Sequence, residues 1–142
     1  MDLLSRREHT REELRRKLTH RGHPARAVEP VLEALAAEGL QSDRRFAETY
    51  VESRLARGFG PARILEELRR RGVDGADREA ACDHRDPVWC RRAGDARRKR
   101  FGEALPEAFA ERARQARFLH QRGFSRAHIA DVLGGDPEEA PM

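Results

Sequence analysis

An arginine–glycine pair recurs three times along this chain at almost constant spacing, as Arg21-Gly22, Arg71-Gly72 and Arg122-Gly123. The glycines lie 50 and then 51 residues apart, and each pair follows a basic, helix-favouring run and precedes another helical pattern. Self-similarity at this interval is typical of one supersecondary unit repeated along the chain. The spacing therefore predicts stacked helical modules of about 50 residues, which together expose long surfaces suited to binding.

The composition of the 142 residues favours helix throughout. Ala, Leu, Arg and Glu dominate, whereas strand-favouring residues are scarce, with one Tyr, one Trp and six Phe. Large apolar residues are also few, so we expect thin, alanine-lined helical cores. We predict an all-α fold, an elongated array of three tandem three-helix repeats at residues 1–40, 41–86 and 87–135, followed by a disordered tail at 136–142.

Local signals predict where several helices begin. Thr10, with Glu13 three residues later, has the pattern of a capping box, and Ser125 is a suitable N-cap for the last helix. Asp43 is expected to cap the opening helix of the second repeat. Pro30 either kinks the helix that contains it or marks that helix's real beginning.

Two repeats contain helices whose extent can be predicted. A short first helix is expected over about residues 2–9. In the third repeat, one helix is expected to begin at Val88 and run to Phe101. Pro106 can then open a longer helix that ends at Arg122 and buries Phe109 on its apolar face.

Two aromatic residues allow both a structural and a functional interpretation. Tyr50 lies in step with Phe46, which favours a place in the core. Phe59 lies between two glycines, where it acts either as a hydrophobic plug at a helix end or, if it is exposed, as a stacking platform. Single-stranded bases stack on exposed aromatic rings for about 1–3 kcal/mol each.

The basic residues are 27 Arg against two Lys, and the net charge is +4. The planar guanidinium fork suits phosphate or carboxylate groups, although a GC-rich genome would raise the Arg content equally well. The densest basic stretch runs from Arg91 to Phe101, with six basic residues against one acid, Asp95. A second basic stretch covers residues 44–71. Stacked repeats could join these runs into one continuous stripe.

Several classes of protein are disfavoured by what the sequence lacks. No apolar run approaches the ~18 residues of a membrane-spanning helix, so we expect a cytoplasmic protein without a membrane partner. Neither a Gly-x-x-x-x-Gly-Lys phosphate loop nor a Gly-x-Ser-x-Gly nucleophile elbow is present. Cys82, His84 and Cys90 lack the second ligand pair that zinc sites use. We therefore expect a non-enzyme with no cofactor and no metal.

The middle of the chain carries a recognisable motif. It reads Asp43-x-x-Phe46-Ala47-x-x-Tyr50-Val51-x-x-Arg54, followed by Gly58-Phe59-Gly60-Pro61-x-x-Ile64-x-x-Glu67-Leu68-x-x-Arg71-Gly72-Val73. This pattern resembles the signature of the RecX family. The family's first and last segments are similar to Leu4-Ser5-Arg6-Arg7-Glu8-His9-Thr10-x-x-Glu13-Leu14 and to Gln115-Ala116-Arg117-Phe118-Leu119-x-x-Arg122-Gly123-Phe124.

The resemblance implies a bacterial regulator of the RecA recombinase. Members of the family are arrays of three-helix repeats that lie in the groove of the RecA–single-stranded DNA filament and inhibit ATP hydrolysis, strand exchange and filament extension. It implies roles in DNA repair, homologous recombination and the SOS response, and single-stranded DNA as a further partner, with duplex DNA left open. We expect the chain to act as a monomer.

Charge and expected exposure select eight residues as contacts to RecA or DNA: Arg54, Arg57, Arg63, Arg70, Arg71, Arg97, Arg98 and Lys99. The alternative function is a stand-alone DNA-binding protein, such as a tandem helix-turn-helix repressor. The basic residues concentrate on the first and second helices of the repeats, which counts against reading of the major groove by the third. A purely structural helical scaffold is a third hypothesis.

Overall fold

The structure, a computed structural model, describes residues 7–134, and this part of the chain contains helices and no strand. The helices are α1 (Arg11–His20), α2 (Ala25–Ala37), α3 (Asp43–Ala56), α4 (Pro61–Arg70), α5 (Gly75–Ala81), α6 (Val88–Phe101), α7 (Phe109–Arg122) and α8 (Arg126–Leu133). The all-α prediction is confirmed. None of the helices described between residues 7 and 134 is long and apolar enough to cross a membrane.

Two predicted segments fall wholly or mostly outside the described residues. The tail at 136–142 lies beyond them, and so does most of the helix expected over residues 2–9. Residues 7–9, which are described, are not helical. The helix predicted from Val88 to Phe101 is confirmed at both ends.

The described residues divide into two compact units. The first unit comprises residues 7–51 and 67–81, and the second comprises residues 52–66 and 82–134. Helices α3 and α4 each contribute residues to both units. The division therefore runs through the second predicted repeat and not between repeats.

Each unit has its own apolar core. In the first unit, α1 and α2 bury one cluster formed by Leu14, Val28, Leu32 and Leu35, with Leu18 packed against it. In the second unit the buried side chains include Ile64, Trp89, Leu119, Phe124, Ile129 and Leu133. Trp89 also donates from its indole nitrogen to the Asp83 carbonyl at 2.8 Å, so the polar edge of this large ring is satisfied.

The predicted caps of α1 and α8 are confirmed, and the cap of α3 is corrected. Thr10 and Glu13 form a reciprocal capping box at α1, and Ser125 caps α8 in the same way with His128 as its partner. At α3, however, the Arg45 amide donates to the Ser42 hydroxyl at 3.2 Å. Ser42 is therefore the cap, and Asp43 is the first helical residue.

Asp43 instead connects two segments of the first unit. Its Oδ1 accepts from the Arg11 amide at 2.9 Å and from the Gln41 amide nitrogen at 2.8 Å. Because the first amides of a helix have no partner within the helix, this carboxylate satisfies the start of α1 from outside. The sequence therefore predicted correctly that a helix begins here, but the Asp43 carboxylate caps α1 and not α3.

Two predictions based on proline need correction. Pro30 lies inside α2, which begins at Ala25, so the hypothesis that Pro30 starts the helix is wrong. Helix α7 begins at Phe109 and not at Pro106, and Phe109 is 48% exposed. The buried side chains of α7 are Gln115 and Leu119, which lie about a quarter turn away from Phe109 around the helix.

Two of the three arginine–glycine pairs pack closely against another segment of their own unit, and we call each of these contacts a joint. In the first unit, the Thr10 hydroxyl donates to the Arg71 carbonyl at 3.0 Å, and a Cβ built on Gly72 would lie 2.6 Å from the Glu12 Cβ. An arginine–glycine turn is thus packed onto the start of α1. A side chain added at Gly72 would therefore require Glu12 to shift.

The joint of the second unit is tighter because backbone meets backbone. The Gly60 amide donates to the Arg122 carbonyl at 2.7 Å, and the Ala62 amide donates to the Gly123 carbonyl at 3.0 Å. A Cβ built on Gly123 would lie 2.5 Å from the Arg63 Cβ. The remaining copy differs, because Gly22 is exposed and no described atom lies within 4 Å of its built Cβ.

Candidate functional site

Four guanidinium groups surround the ring of Phe59 in the second unit. Arg63 lies 4.2 Å from the ring centroid, Arg122 4.9 Å, Arg54 5.1 Å and Arg57 5.9 Å. Cations within about 6 Å of an aromatic centroid are attracted by the ring quadrupole. We call this group, Phe59 with Arg54, Arg57, Arg63 and Arg122, the Phe59 cluster.

The joint between the two glycine-containing turns assembles the Phe59 cluster. Its backbone bonds carry Arg122 to the loop between α3 and α4, where the Arg122 guanidinium donates to the Arg57 carbonyl at 3.1 Å. Arg63 donates in turn to the Gln121 carbonyl at 3.4 Å. Gly58, with φ of 81°, ends α3 in the left-handed conformation that glycine favours, and Phe59 follows it inward.

Phe59 is 7% exposed, so it is a hydrophobic plug and not a free stacking platform. Arginine side chains, and not solvent, surround the ring. Tyr50 is half-buried in the first unit and stacks on the buried Phe46 with centroids 5.7 Å apart. Neither ring is therefore an open surface for a nucleic-acid base.

A cleft in the second unit lies beside the Phe59 cluster. It has a volume of 250 Å³ and is lined by Arg57, Gly58, Ala96, Lys99, Arg100, Phe118 and Arg122. An adjoining hollow of 150 Å³ shares Arg57, Gly58, Ala96 and Lys99 and adds Arg92 and Asp95. We call these two hollows together the basic cleft.

The cations of the basic cleft are poorly neutralised. Among residues 7–134, no carboxylate pairs with Arg57, Arg92, Lys99 or Arg100. The one acid that lines the cleft, Asp95, makes an ion pair with Arg98, three residues further along the same helix. The Nε of Arg92 is shielded from solvent and has no hydrogen-bond acceptor. A concave surface with several unpaired cations favours an anionic ligand.

The basic side chains of α6 lie on several faces of the helix. Each residue advances about 100° around an α-helix, so Arg92, Ala96 and Lys99 share the face that lines the basic cleft, together with Arg100. Arg98 is exposed on another side, where it pairs with Asp95. Neighbouring basic residues in the sequence therefore meet different surroundings.

Arg97 is the correction among the predicted contact residues, because it is only 2% exposed. Its guanidinium donates to the carbonyls of Gly102, Glu103 and Ala104 at 3.0, 3.1 and 3.2 Å, and to the side-chain oxygen of Gln115 at 3.3 Å. Those acceptors occupy the donors that a partner would need. Arg97 holds the segment between α6 and α7 and is not a surface contact.

The other residues predicted to contact RecA or DNA are divided between the two units. Arg54, Arg57, Arg63 and Lys99 lie in the second unit around Phe59 or in the basic cleft. Arg70 and Arg71 belong to the first unit. Arg71 lies over the Tyr50 ring at 4.9 Å and 4.0 Å from the Glu13 carboxylate, whereas Arg70 is exposed at the end of α4.

Three cations of the basic cleft were missed by sequence reasoning. Arg92 and Arg100 lie in the basic run from Arg91 to Phe101, and their spacing from Lys99 on a helix was the available signal. Arg122 belongs to the third arginine–glycine pair, which was interpreted only as a repeat mark. Its equivalence to Arg71, a predicted contact, was the signal that could have identified it.

Burial shifts the pKa of titratable groups in both units. Burial, and after it Asp83, raises the pKa of the Cys82 thiol to about 11, which keeps it protonated and unreactive at neutral pH. Burial, and then the charges of Arg7 and Lys17, lowers the pKa of His9. Within residues 7–134, no three His, Cys, Asp or Glu side chains are placed to hold a metal ion.

These helices and joints define the class of tandem three-helix repeat proteins. Three family models match the chain, described as the first, second and third three-helix domains of RecX, at residues 1–35, 42–81 and 91–133. The chain therefore belongs to the RecX family, as its sequence motifs indicated.

Relatives and solved structures agree with this assignment. The chain is 46% identical to the regulatory protein RecX of Halorhodospira halophila, over 98% of this chain and 88% of the relative. It is 44% identical to that of Pseudomonas entomophila, over 95% and 87%. The crystal structure of RecX from Lactobacillus salivarius shares the fold, with a TM-score of 0.82 at 21% identity over 94% of this chain and 88% of that one.

Proposed function

We propose that this chain regulates the RecA recombinase by binding in the groove of the RecA–single-stranded DNA filament, where it inhibits ATP hydrolysis, strand exchange and filament extension. The observation that carries the proposal is membership of the RecX family across nearly the whole chain. It acts by binding alone, as a cytoplasmic protein without a cofactor.

The second unit supplies the main contact in this proposal. The unpaired cations of the basic cleft and the arginines of the Phe59 cluster can bind phosphate or acidic protein surface. Arg54, Arg57, Arg63 and Lys99 are retained from the sequence prediction, and Arg92, Arg100 and Arg122 join them. Arg70, Arg71 and Arg98 stay predicted contacts, whereas Arg97 is left out.

Inhibition follows from occupancy of the groove. ATP turnover in a filament requires neighbouring protomers to move against one another, and a ligand that prefers one arrangement shifts the population toward it. A helical protein bound across protomers would hold the arrangement to which it binds. Its effect therefore depends on filament affinity and weakens as salt screens the cations.

A titration of RecA's DNA-dependent ATPase tests the proposal. Added protein is expected to reduce the rate in proportion to filament occupancy and to reach most of its effect near one protein per few RecA protomers. An unchanged rate at equimolar protein would contradict the proposal. Repeating the assay with tenfold more single-stranded DNA, at fixed RecA and protein, separates two causes: inhibition by sequestering DNA is relieved, whereas inhibition through the filament persists.

A further inference from the structure

We infer that two buried histidines, His9 in the first unit and His128 in the second, support the joints only while their rings are neutral, so that acidification loosens both joints. His9 directly precedes Thr10 at the start of α1, and His128 belongs to the cap of α8, the helix that follows the Gly123 turn. The inference goes beyond the proposed function, because it concerns this chain alone and requires neither RecA nor nucleic acid.

The hydrogen-bond partners of His9 require a neutral ring. Its Nδ1 donates to the Arg7 carbonyl at 3.0 Å, since a carbonyl only accepts. Its Nε2 lies 3.0 Å from the Lys17 Nζ, and because an ammonium group only donates, Nε2 must be the bare acceptor. Burial, and then the charges of Arg7 and Lys17, lowers the pKa of His9, whereas Glu13 on α1 acts in the opposite direction. A second ring proton would face the Lys17 ammonium at hydrogen-bond distance inside the fold.

The backbone around His9 connects this ring to the joint of the first unit. The next residue, Thr10, is fully buried, and its hydroxyl donates to the Arg71 carbonyl at 3.0 Å. The His9 carbonyl accepts from the Gln41 side-chain amide at 3.3 Å, and the same amide reaches the Asp43 carboxylate. A movement of His9 away from the Lys17 ammonium would therefore act on the residue that holds the arginine–glycine turn.

His128 requires a neutral ring for a different reason. The Ser125 amide donates to its Nδ1 at 3.1 Å, so the ring hydrogen must lie on Nε2. Glutamate or glutamine usually supplies this acceptor in a capping box, and histidine can do so only when it is unprotonated. Burial, and then the charge of His84 in the connection between α5 and α6, lowers the pKa of His128, whereas Asp131 on α8 opposes that shift.

The cap of α8 is connected to the joint of the second unit through Phe124. Phe124 lies between Gly123, whose carbonyl accepts from the Ala62 amide at 3.0 Å, and the capping residue Ser125. Its buried ring meets the His128 ring edge-on, with centroids 6.3 Å apart. Protonation of His128 would remove the acceptor of the Ser125 amide and place a charge against this apolar ring, so the residues after the Gly123 turn would lose their support.

The direction of the pH effect follows from the lowered pKa of both rings. The unfolded chain, in which histidine titrates near its usual value of about 6.5, binds more protons than the folded chain as the medium becomes acidic. The stabilisation is therefore complete above that value and is lost as the pH falls through the folded-state pKa values. One such proton changes the unfolding equilibrium by up to about tenfold per pH unit.

Urea unfolding at pH 7.5, 6.5 and 5.5 tests the inference by comparing the native chain with the double variant His9→Gln with His128→Gln. Glutamine accepts hydrogen bonds at both positions but does not titrate. Between pH 7.5 and 5.5, the unfolding equilibrium constant of the native chain is expected to rise about tenfold more than that of the variant. Circular dichroism follows the whole chain, and fluorescence of the buried Trp89 follows the second unit.

The matched control removes two exposed histidines, one from each unit, as His20→Gln with His120→Gln. This variant is expected to keep the pH dependence of the native chain. The inference would be overturned if the native chain and the His9 and His128 double variant showed the same pH dependence, or if the control variant lost it equally.

Nitrogen NMR of the native chain gives a second readout that does not depend on any variant folding. At neutral pH, the ring hydrogen is expected on Nδ1 in His9 and on Nε2 in His128, and both rings should titrate below the usual histidine range. The opposite tautomer in either ring, or titration above that range, would overturn the inference. Because neither measurement contains RecA, such a failure would leave the proposed function standing.

Discussion

The two units differ in whether their arginines are paired to acids of other segments. In the first unit, Arg11 pairs with Glu29 and Glu33 of the next helix, and Arg15 also reaches Glu29. Longer connections follow, with Arg44 paired to Asp77 and Arg45 to Glu8. In the second unit, Arg98 and Arg114 pair with an acid three residues earlier on their own helix, while the cations of the basic cleft pair with none of the described carboxylates.

The number of arginines in a region therefore does not show where a binding surface lies. What matters is whether each arginine is already paired with an acid of the same chain. Exposed ion pairs contribute only about 0.2–1 kcal/mol each, so those of the first unit add modestly to the packing of its helices. Their larger consequence is that the charge is already neutralised. Unpaired cations keep their attraction for an outside anion, and the second unit keeps several of them together.

The largest expected effect concerns the joints. Gly123→Ala should cost about 3 kcal/mol or more of unfolding free energy, because φ is +105° and the new Cβ would lie 2.5 Å from the Arg63 Cβ and 2.6 Å from the Arg63 backbone nitrogen. Gly72→Ala, at the joint of the first unit, should cost about 2 kcal/mol, since the Glu12 side chain can shift in part. Urea unfolding measures both.

Gly22→Ala is the matched control for these joints. Gly22 also has positive φ, of 94°, but its built Cβ meets no described atom within 4 Å, so only the backbone penalty of about 1 kcal/mol applies. Trp89, the sole tryptophan, is buried in the second unit and reports its unfolding by fluorescence. Equal losses at Gly22 and Gly123 would show that the joints contribute nothing.

A smaller effect is expected inside the second unit. Arg97→Met should lower the unfolding free energy by about 2–3 kcal/mol, because three carbonyls and the Gln115 side chain lose a charged donor. Arg98→Met, its exposed neighbour, should change stability by no more than about 0.5 kcal/mol. Thermal unfolding of both variants gives the comparison, and a larger loss at Arg98 would contradict the assignment of Arg97 to the interior.

Much of the fold could be predicted because its signals are local. Thr10 with Glu13, and Ser125, contain their capping patterns within a few residues, and the helix from Val88 to Phe101 is continuous in its propensity. The family signature likewise lies in contiguous motifs. The prediction that Phe109 is buried was wrong because the buried face of α7 is the one that carries Gln115 and Leu119.

The candidate site was harder to predict because it depends on which residues meet across the fold. The interior role of Arg97 requires the Gly102, Glu103 and Ala104 carbonyls to turn back on α6, which no propensity encodes. Arg122 reaches the basic cleft only through the backbone joint between Gly60 and Gly123. Charge runs in the sequence included residues that line the basic cleft, but the pairing of each arginine is a tertiary property.

The central claim, that the unpaired cations of the basic cleft make the main contact to the filament, is tested most directly by filament affinity in matched double variants. Arg57→Gln with Lys99→Gln removes two unpaired charges, and Arg11→Gln with Arg15→Gln removes two paired ones, so both lower the net charge equally. Binding to the RecA–single-stranded DNA filament at near-physiological salt should weaken about tenfold or more in the first variant and less than threefold in the second. Equal weakening, or a greater loss in the first unit's variant, would contradict the account.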